Sequence, residues 1–463
     1  MIGFSRTKRS AASNAGYADL FGFIGFLFCL LTIVASTMAT TAPAEPLAAV
    51  LKSVNDFTLD LYLKAAEAKG PGKNILVSPL SASLVTAMVH AGARGKTLEE
   101  ITKGLRYPTD KDTLEKGFSS LHDLLANTPN VTLEIANKVF VEKTAHAKLV
   151  EGYKKTITEV HKSDVESADF LNNHDKERIS INNWVSDKTH EKIKDLLQPG
   201  VVTPATAMVL VNAIYFYGKW KEQFDKKQTY PEDFYITKSQ TVKVPMMHMT
   251  KNMRYAEIPE LDAKAVELCY TNENVCLQII LPNAKDGLEG LQQKLRAGAF
   301  DLSNIPFYPT KVQLSLPKFK LEETINIKDL FKKMGMQSMF EQSADFSGMF
   351  DGVPVAVSDA IQKTFMDVNE EGTEAAAATG LALANRISLD PSFHVNHPCF
   401  GRLLLEASVV AAGPSTAATP TATPAAGAAP ATPAGAPAAA AAAGAARAPR
   451  ATLMLWQLSE PTA

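Results

Sequence analysis

The sequence predicts an α+β domain spanning Pro46–Leu405, on three observations. Helical spacing dominates its first part, and strand patterns dominate from Ala207 onward. The strands come in hairpins and not in βαβ units. No internal repeat is visible, and no heptad pattern survives three turns.

Taken in order, Phe57, Leu61 and Ala65 recur at helical spacing and predict an amphipathic helix over Phe57–Ala68. Asn74–Val77 reads as a short strand. Ser78 then stands where an N-cap belongs, Pro79 suits the first helical position, and the helical pattern continues over Ser81–Ala91. Leu98–Gly104 and Phe118–Leu125 read as further helices. Val131–Val141 alternates as VTLEIANKVFV, a half-buried strand. Tyr153–Val160 and Ile179–Leu197 read as helices, the second stopped by Gln198-Pro199-Gly200. Ala207–Phe216 is a near-continuous apolar run, the pattern of a strand buried on both faces. Strands follow over Thr241–Met249, Met253–Ile258, Val266–Tyr270, Val275–Leu281 and Val312–Phe319. Ile327–Met334 reads as a helix, and Pro354–Val357 and Thr364–Val368 as strands.

Both ends differ from this middle. Residues 1–42 read as a secretory signal peptide: Arg6, Lys8 and Arg9 lead into the 16-residue apolar run Leu20–Ala35, too short to span a membrane. Small residues follow, with cleavage expected after Ala39 or Ala42. Cys29 would leave with the signal, and the mature chain is expected outside the cell, without a membrane anchor. In 411–450, 38 of 40 residues are Ala, Pro, Thr, Gly or Ser. Such a stretch has too little apolar bulk to offset the entropy of ordering, and predicts a disordered tail. Residues 451–463 read as a short apolar terminus of unknown role.

Composition narrows the chemistry. With 47 Lys+Arg against 49 Asp+Glu, the net charge of -2 excludes nucleic-acid binding through bulk charge. Four cysteines among 463 residues exclude a disulfide-built scaffold. The nine histidines are scattered, with no HExxH or CxxC frame, and His394 and His397 stand three apart only to meet Pro398. No Gly-rich phosphate loop and no G-x-S-x-G elbow occur. The sequence therefore predicts no metal, no cofactor and no enzymatic activity. The basic pairs Lys154-Lys155 and Lys332-Lys333 read as solvated surface before they read as a glycosaminoglycan site.

A two-residue turn at Asn272-Glu273 would place Cys269 opposite Cys276, as a cross-strand disulfide or as two buried thiols. That register makes them a hydrogen-bonded pair, the less suitable geometry for a bridge. Asn130 stands in the one N-x-[ST] sequon and is a candidate glycosylation site. Glu370–Leu389, EEGTEAAAATGLALANRISL, reads either as an exposed helix rich in alanine or as a long exposed loop. Gly372 and Gly380 interrupt the helical reading, and Thr364–Asn369 leads in as a strand, which favours the loop.

Several of these motifs, in this order, resemble the serpins, the serine protease inhibitor superfamily. Asn74–Ser81 resembles the strand-to-helix step of that family's core. Leu210–Phe216 with Gly218-Lys219-Trp220 resembles the central strand of its large sheet. Asp367–Thr379, DVNEEGTEAAAAT, resembles the hinge of its reactive loop, and His397-Pro398 the start of its late strands. The resemblance implies helices packed on a large central mixed sheet with smaller sheets, and an exposed reactive loop over about 370–391. It implies suicide inhibition, in which a protease acylates the loop and the freed loop inserts into the large sheet as an extra strand.

The hinge residues would then be Glu370, Glu371, Gly372, Thr373, Glu374, Ala375, Ala376, Ala377, Ala378 and Thr379. Thr373, Ala375, Ala377 and Thr379 form the inward set, none charged and none larger than Thr, as insertion into a finished core demands. Glu370–Arg386 spans 17 residues, about 56 Å extended at roughly 3.3 Å per residue, enough to carry a protease across a domain. Family spacing puts the cleaved bond between Arg386 and Ile387, with cleavage after Ile387 or Leu383 as the alternatives. An arginine there suits the carboxylate-bearing pocket of a trypsin-like protease. Ser78, Ser81, Asn212, Trp220 and Gln362 fall where the sheet opens; Gln362 stands where many relatives carry His.

After Pro398 the sequence departs from the resemblance. Leu403–Val410 reads as one substitute strand, and the strand that should close the fold is read as missing unless Thr452–Leu458 returns across the disordered tail; its loss would mark an altered reading frame, a retained intron or a misassembled gene. The expectation is a secreted, monomeric inhibitor of trypsin-like serine proteases. The rival is a non-inhibitory protein of the same fold, a mere substrate, carrier or chaperone, because its C-terminal core strands are missing or altered.

Overall fold

The computed structural model describes residues 45–373, 390–407 and 448–461, so the signal segment, 374–389 and 408–447 lie outside the described residues. Helix α1 (Glu45–Lys69) begins well before the predicted Phe57. Strand β1 (Ile75–Val77) leads into α2 (Pro79–Gly92), with Ser78 as its N-cap: the hydroxyl accepts the Ser81 N–H at 3.3 Å. Helix α2 is apolar on nearly all sides and lies buried beneath the sheets. Helices α3 (Gly95–Gly104) and α4 (Lys111–Ala126) follow, then β2 (Val131–Glu142), α5 (Glu151–Glu159), β3 (Val165–Ala168) and α6 (Phe170–Lys188).

Helix α6 corrects the predicted Ile179–Leu197. It starts nine residues earlier and stops at Lys188, because His190, Glu191 and Asp195 take left-handed backbone angles that no α-helix tolerates. The strands are β4 (Met208–Lys219), β5 (Thr229–Tyr235), β6 (Thr241–Ile258), β7 (Ala263–Cys269), β8 (Val275–Pro282), then α7 (Leu288–Arg296), β9 (Tyr308–Pro317), β10 (Phe319–Asn326), α8 (Ile327–Lys333) and β11 (Asp359–Val368). Strand β6 is continuous where the sequence suggested two pieces, and Pro354–Val357 is not a strand. The last strands are β12 (Gly372–Thr373), β13 (Ser392–His394), β14 (Cys399–Glu406) and β15 (Arg450–Leu458).

Among the described residues there are two mixed sheets. One runs β10-β11-β4-β2-β3, with β12 on β4; the other runs β1-β15-β14-β8-β7-β6-β9-β13, with β5 on β6. Ala44–Ala407 and Pro449–Ala463 fall in one structural unit.

Strand β15 overturns the expectation of a missing closing strand. Arg450, assigned to the tail, and residues 451–458 of the supposed apolar terminus form this strand between β1 and β14. Leu453, Met454, Leu455, Trp456 and Leu458 are all fully buried. The 43 residues 407–449 merely separate two strands of one antiparallel pair. Loop-closure entropy grows slowly: lengthening a hairpin connection from about 4 to about 43 residues costs about 2 kcal/mol. Burying five large side chains at about 1.5–3 kcal/mol each outweighs it. Register is fixed at the first pair: Arg450 stands opposite Glu406, bonds it at 2.9 Å through Nε, and bonds the buried Glu267 of β7 at 2.5 Å. Trp456 faces Gly401 of β14, where a Cβ would come within 2.2 Å of the indole.

The hairpin after β7 does not close as the expected two-residue turn: the Thr271 N–H bonds the Lys219 carbonyl and the Val275 N–H the Asn272 carbonyl, yet Cys269 still stands opposite Cys276 and the two form a disulfide. Their pairing type differs from the expectation. The Tyr270 N–H bonds the Val275 carbonyl, while the Cys269 carbonyl accepts from Lys221, so the cysteines are a non-hydrogen-bonded pair, the closer kind. Cys399 is a free, buried thiol. Asn130 is exposed, in a left-handed turn residue before β2.

A buried histidine cluster makes the fold acid-sensitive. The rings of His122 and His161 lie 6.1 Å apart, and His161 sits 5.7 Å from Phe118. Burial lowers His90 and His122 to about 4 and His161 to about 3, with neighbouring cations adding to the effect. These groups are neutral when folded and bind protons more readily when unfolded. Their contribution is complete above about pH 6.5 and is lost as pH falls toward 4. At pH 5 the loss is expected to be several kcal/mol at roughly 1.4 kcal/mol per pKa unit. Thermal melts from pH 7.5 to pH 5 check this, and His161→Phe should flatten the dependence.

Candidate functional site

Strands β4 and β11 run parallel, paired from Val209↔Asp359 to Tyr215↔Phe365. Above Phe365 that pairing ends, and the chain reverses through the tight turn Asn369–Gly372, where the Asn369 N–H bonds the Gly372 carbonyl at 2.9 Å. Gly372 and Thr373 then pair antiparallel with Lys219 and Gly218 of β4. A strand entering between β4 and β11 must run antiparallel to both, and this turn already aims the chain that way. Gly372 has φ +137°, and a Cβ there would lie 2.1 Å from the Gly218 carbonyl oxygen. Only glycine permits this approach.

The turn is held from one side by the segment after β4. Trp220 donates from its ring nitrogen to the Asn369 carbonyl and from its backbone to the Glu371 carbonyl, both at 2.9 Å; Phe224 donates to the Glu370 carbonyl at 2.8 Å. Trp220 itself is buried and stacked on Tyr270 at 4.3 Å. Both hinge glutamates are buried and ion-paired, Glu370 with Lys318 at 3.2 Å and Glu371 with Lys226 at 2.6 Å. An unpaired buried carboxylate would be costly, so each lysine fixes its glutamate in place.

Below the hinge lies a polar lock across the sheet. Gln362 of β11, Asn212 of β4 and Asn137 of β2 stand in one register row. Gln362 Nε2 donates to Asn212 Oδ1 at 2.6 Å and to the Ser78 carbonyl at 2.9 Å, and its Oε1 accepts the Ser78 N–H at 2.8 Å. Asn212 Nδ2 donates to Ser81 Oγ at 2.7 Å and Asn137 Oδ1 at 2.8 Å. Ser78 Oγ donates to the Leu453 carbonyl of β15 at 2.6 Å. Parting β4 from β11 breaks the Gln362–Asn212 bond in an interior where each such group needs a partner.

Thus Ser78, Ser81, Asn212 and Gln362 come together, with Gln362 filling both donor and acceptor roles, while Trp220 stands apart with the hinge. Sequence reasoning missed Asn137, whose one signal is a polar break in the strand VTLEIANKVFV, and Lys318 and Lys226, which only tertiary structure brings to the hinge. Glu374, Ala375, Ala376, Ala377, Ala378, Thr379, Leu383, Arg386 and Ile387 lie outside the described residues. Lys154 and Lys155 pair with Glu151 and Glu159 on α5, in keeping with a solvated surface.

The turn that seats Gly372–Thr373 on β4 lies beyond the end of the β4–β11 pairing, above a polar lock that spans both strands. The family model described as Serpin (serine protease inhibitor) matches residues 52–403, and the chain belongs to the serpin family. It is 36% identical to Antitrypsin of Bombyx mori over 390 residues, 83% of this chain and 97% of that protein. It is 38% identical to Antichymotrypsin-2 of Bombyx mori over 354 residues, covering 75% and 93%. The solved structure of Serpin48 from the insect Tenebrio molitor matches at 28% identity and a TM-score of 0.73, over 89% of this chain and 98% of that one. Among the described residues no helix is long and apolar enough to cross a membrane.

Proposed function

We propose that this chain is a secreted suicide inhibitor of trypsin-like serine proteases, cleaved between Arg386 and Ile387. The observation that carries the inhibitory reading is the hinge: Gly372–Thr373 already lies on β4 in the direction an inserted strand must take. The trypsin-like preference rests on Arg386 and on family spacing alone; relatives named for trypsin and for chymotrypsin match about equally well. The rival non-inhibitory reading drew on absent closing strands, and β14 with β15 removes that reason. Secretion rests on the leader 1–42, and glycosylation of Asn130 on its sequon and exposure.

Incubation with trypsin should give an SDS-stable complex of chain and protease. Arg386→Leu should cut the association rate with trypsin by at least about a hundredfold, since the carboxylate in the specificity pocket loses its partner. Chymotrypsin should gain in return. Cleaved chain with no complex would replace the inhibitor reading with a substrate one, and an unchanged rate for Arg386→Leu would move the bond elsewhere.

A further inference from the structure

The tip of the β7–β8 hairpin is joined to the hinge through the short extended segment 219–221. The tip pairs antiparallel with one edge of that segment, Trp220 standing opposite Tyr270. There the Lys221 N–H bonds the Cys269 carbonyl at 3.0 Å, and the Thr271 N–H bonds the Lys219 carbonyl at 2.8 Å. Alternate backbone groups of an extended chain point to opposite edges, so the Trp220 N–H faces the other way. It bonds the Glu371 carbonyl at 2.9 Å, beside the pairing of Lys219 with Gly372. The segment is thus a middle strand, with the hairpin tip on one side and the hinge on the other.

The side chains follow the same order. Tyr270 stacks on Trp220 at 4.3 Å and 21°, and meets Phe216 of β4 edge-on at 4.9 Å. A Cβ on Gly218 would lie 2.9 Å from the Tyr270 ring, so the phenol lies directly against the β4 backbone. Trp220, backed by that ring, donates to the Asn369 carbonyl of the hinge turn. What fixes Tyr270 therefore fixes the tryptophan and, through it, the turn.

Cys269 and Cys276 are the last cross-strand pair of the hairpin, and Tyr270 follows at once. Beyond them the tip is closed by the backbone bonds Tyr270 to Val275 and Val275 to Asn272. Thr271 and Asn272 also reach the carbonyls of Asn130 and Pro129. A tip held by so few bonds opens locally, and a covalent cross-link at its base removes that freedom. We propose that the Cys269–Cys276 disulfide is a positioning element for the reactive loop: it holds Tyr270 against Trp220 and so keeps the hinge seated on β4. Its effect on trapping rests on the inhibitory reading; its effect on the hinge does not.

Cys269 is half-buried and Cys276 buried, so a reductant meets the bond from the Cys269 side. Amide exchange is measured on the full chain before and after reduction with tris(2-carboxyethyl)phosphine. The Trp220 and Phe224 amides donate to hinge carbonyls, and on reduction they should exchange at least about tenfold faster. Amides of β9, two strands away from β7, should keep their rates, and reoxidation should restore the original pattern. A chain carrying Cys269→Ala with Cys276→Ala should exchange as the reduced chain does. Trypsin should cut that variant at the native rate yet leave a smaller SDS-stable fraction and more cut chain. Unchanged exchange at Trp220 and Phe224 overturns the proposal. So does faster exchange that extends to β9, which would make the bridge a general brace of the fold. A variant that traps trypsin as completely as the native chain removes the role in trapping. A native chain that traps nothing refutes the inhibitory reading, and exchange then decides the hinge by itself. Should the double variant fail to fold, exchange in the reduced native chain decides alone.

Discussion

A chain ended at Pro449 should not fold, whereas a chain lacking 411–446 should melt at least as high as the full-length protein. The first change removes β15. Leu453, Met454, Leu455, Trp456 and Leu458 would leave a fully buried layer, a loss of at least about 7 kcal/mol at about 1.5 kcal/mol each. Strand β1 would lose its ladder partner, β14 one of its two, and Ser78 Oγ its acceptor at Leu453. Glu267, which Arg450 and Gln278 hold below the usual carboxylate range against the opposing pull of burial, would lose its main counter-charge. A domain has only about 5–15 kcal/mol in total. The second change shortens the connection between two strands that are already paired, and recovers about 2 kcal/mol of closure entropy. Circular dichroism melts of the two variants check both halves. A cooperative melt for the truncated chain would mean that β15 is dispensable and that its burial has been overvalued.

That contrast also shows where the sequence was hard to read. The sequence singles out 370–379 as a hinge by its resemblance and its rare composition, small uncharged residues at alternate positions introduced by a glycine; the described residues reach only Thr373 of it. Four of the five residues assigned to the sheet opening converge, because Ser-Pro at a helix start and Asn in an apolar strand are locally conspicuous. The closing strand was visible as the apolar run Thr452–Leu458, but distance made its return the less favoured reading. A tract of Ala, Pro, Thr, Gly and Ser separates it from its partner, and nothing local ties Arg450 to Glu406 or Trp456 to Gly401. Gly401, out of place in an apolar strand, is a second hint: its missing side chain makes room for an indole 55 residues later. Helix α6 was misplaced for a different reason. The residues that stop it, His190, Glu191 and Asp195, adopt left-handed angles although none is the glycine that signals a helix end.

Gly372→Val should turn the inhibitor into a substrate. In the family's mechanism, insertion of the cleaved loop competes with hydrolysis of the acyl-enzyme, and whichever is faster sets the yield of trapped protease. Insertion starts where the chain first pairs with β4, at Gly372 and Thr373. A Cβ at 372 would meet the Gly218 carbonyl oxygen at 2.1 Å and Lys219 Cα at 2.6 Å, both backbone atoms that cannot swing aside. The positive φ adds strain for a β-branched residue. The hinge must therefore back out of its seat, breaking the bonds from Trp220 and Phe224 to the turn carbonyls and exposing the Glu370 and Glu371 ion pairs. A tenfold slowing of insertion needs only about 1.4 kcal/mol at the transition state, well within the cost of such a clash. Cleavage at Arg386 should proceed at the wild-type rate, since the scissile bond lies 14 residues away. For a native chain that inserts about ten times faster than it hydrolyses, the SDS-stable fraction should fall to about half, and further if the slowing is larger, with the remainder recovered as cut chain and active trypsin. Gel densitometry with residual trypsin activity measures both products at once. If Gly372→Val trapped trypsin as well as the native chain did, insertion would not begin at this contact, and the seated hinge would have no part in the trap.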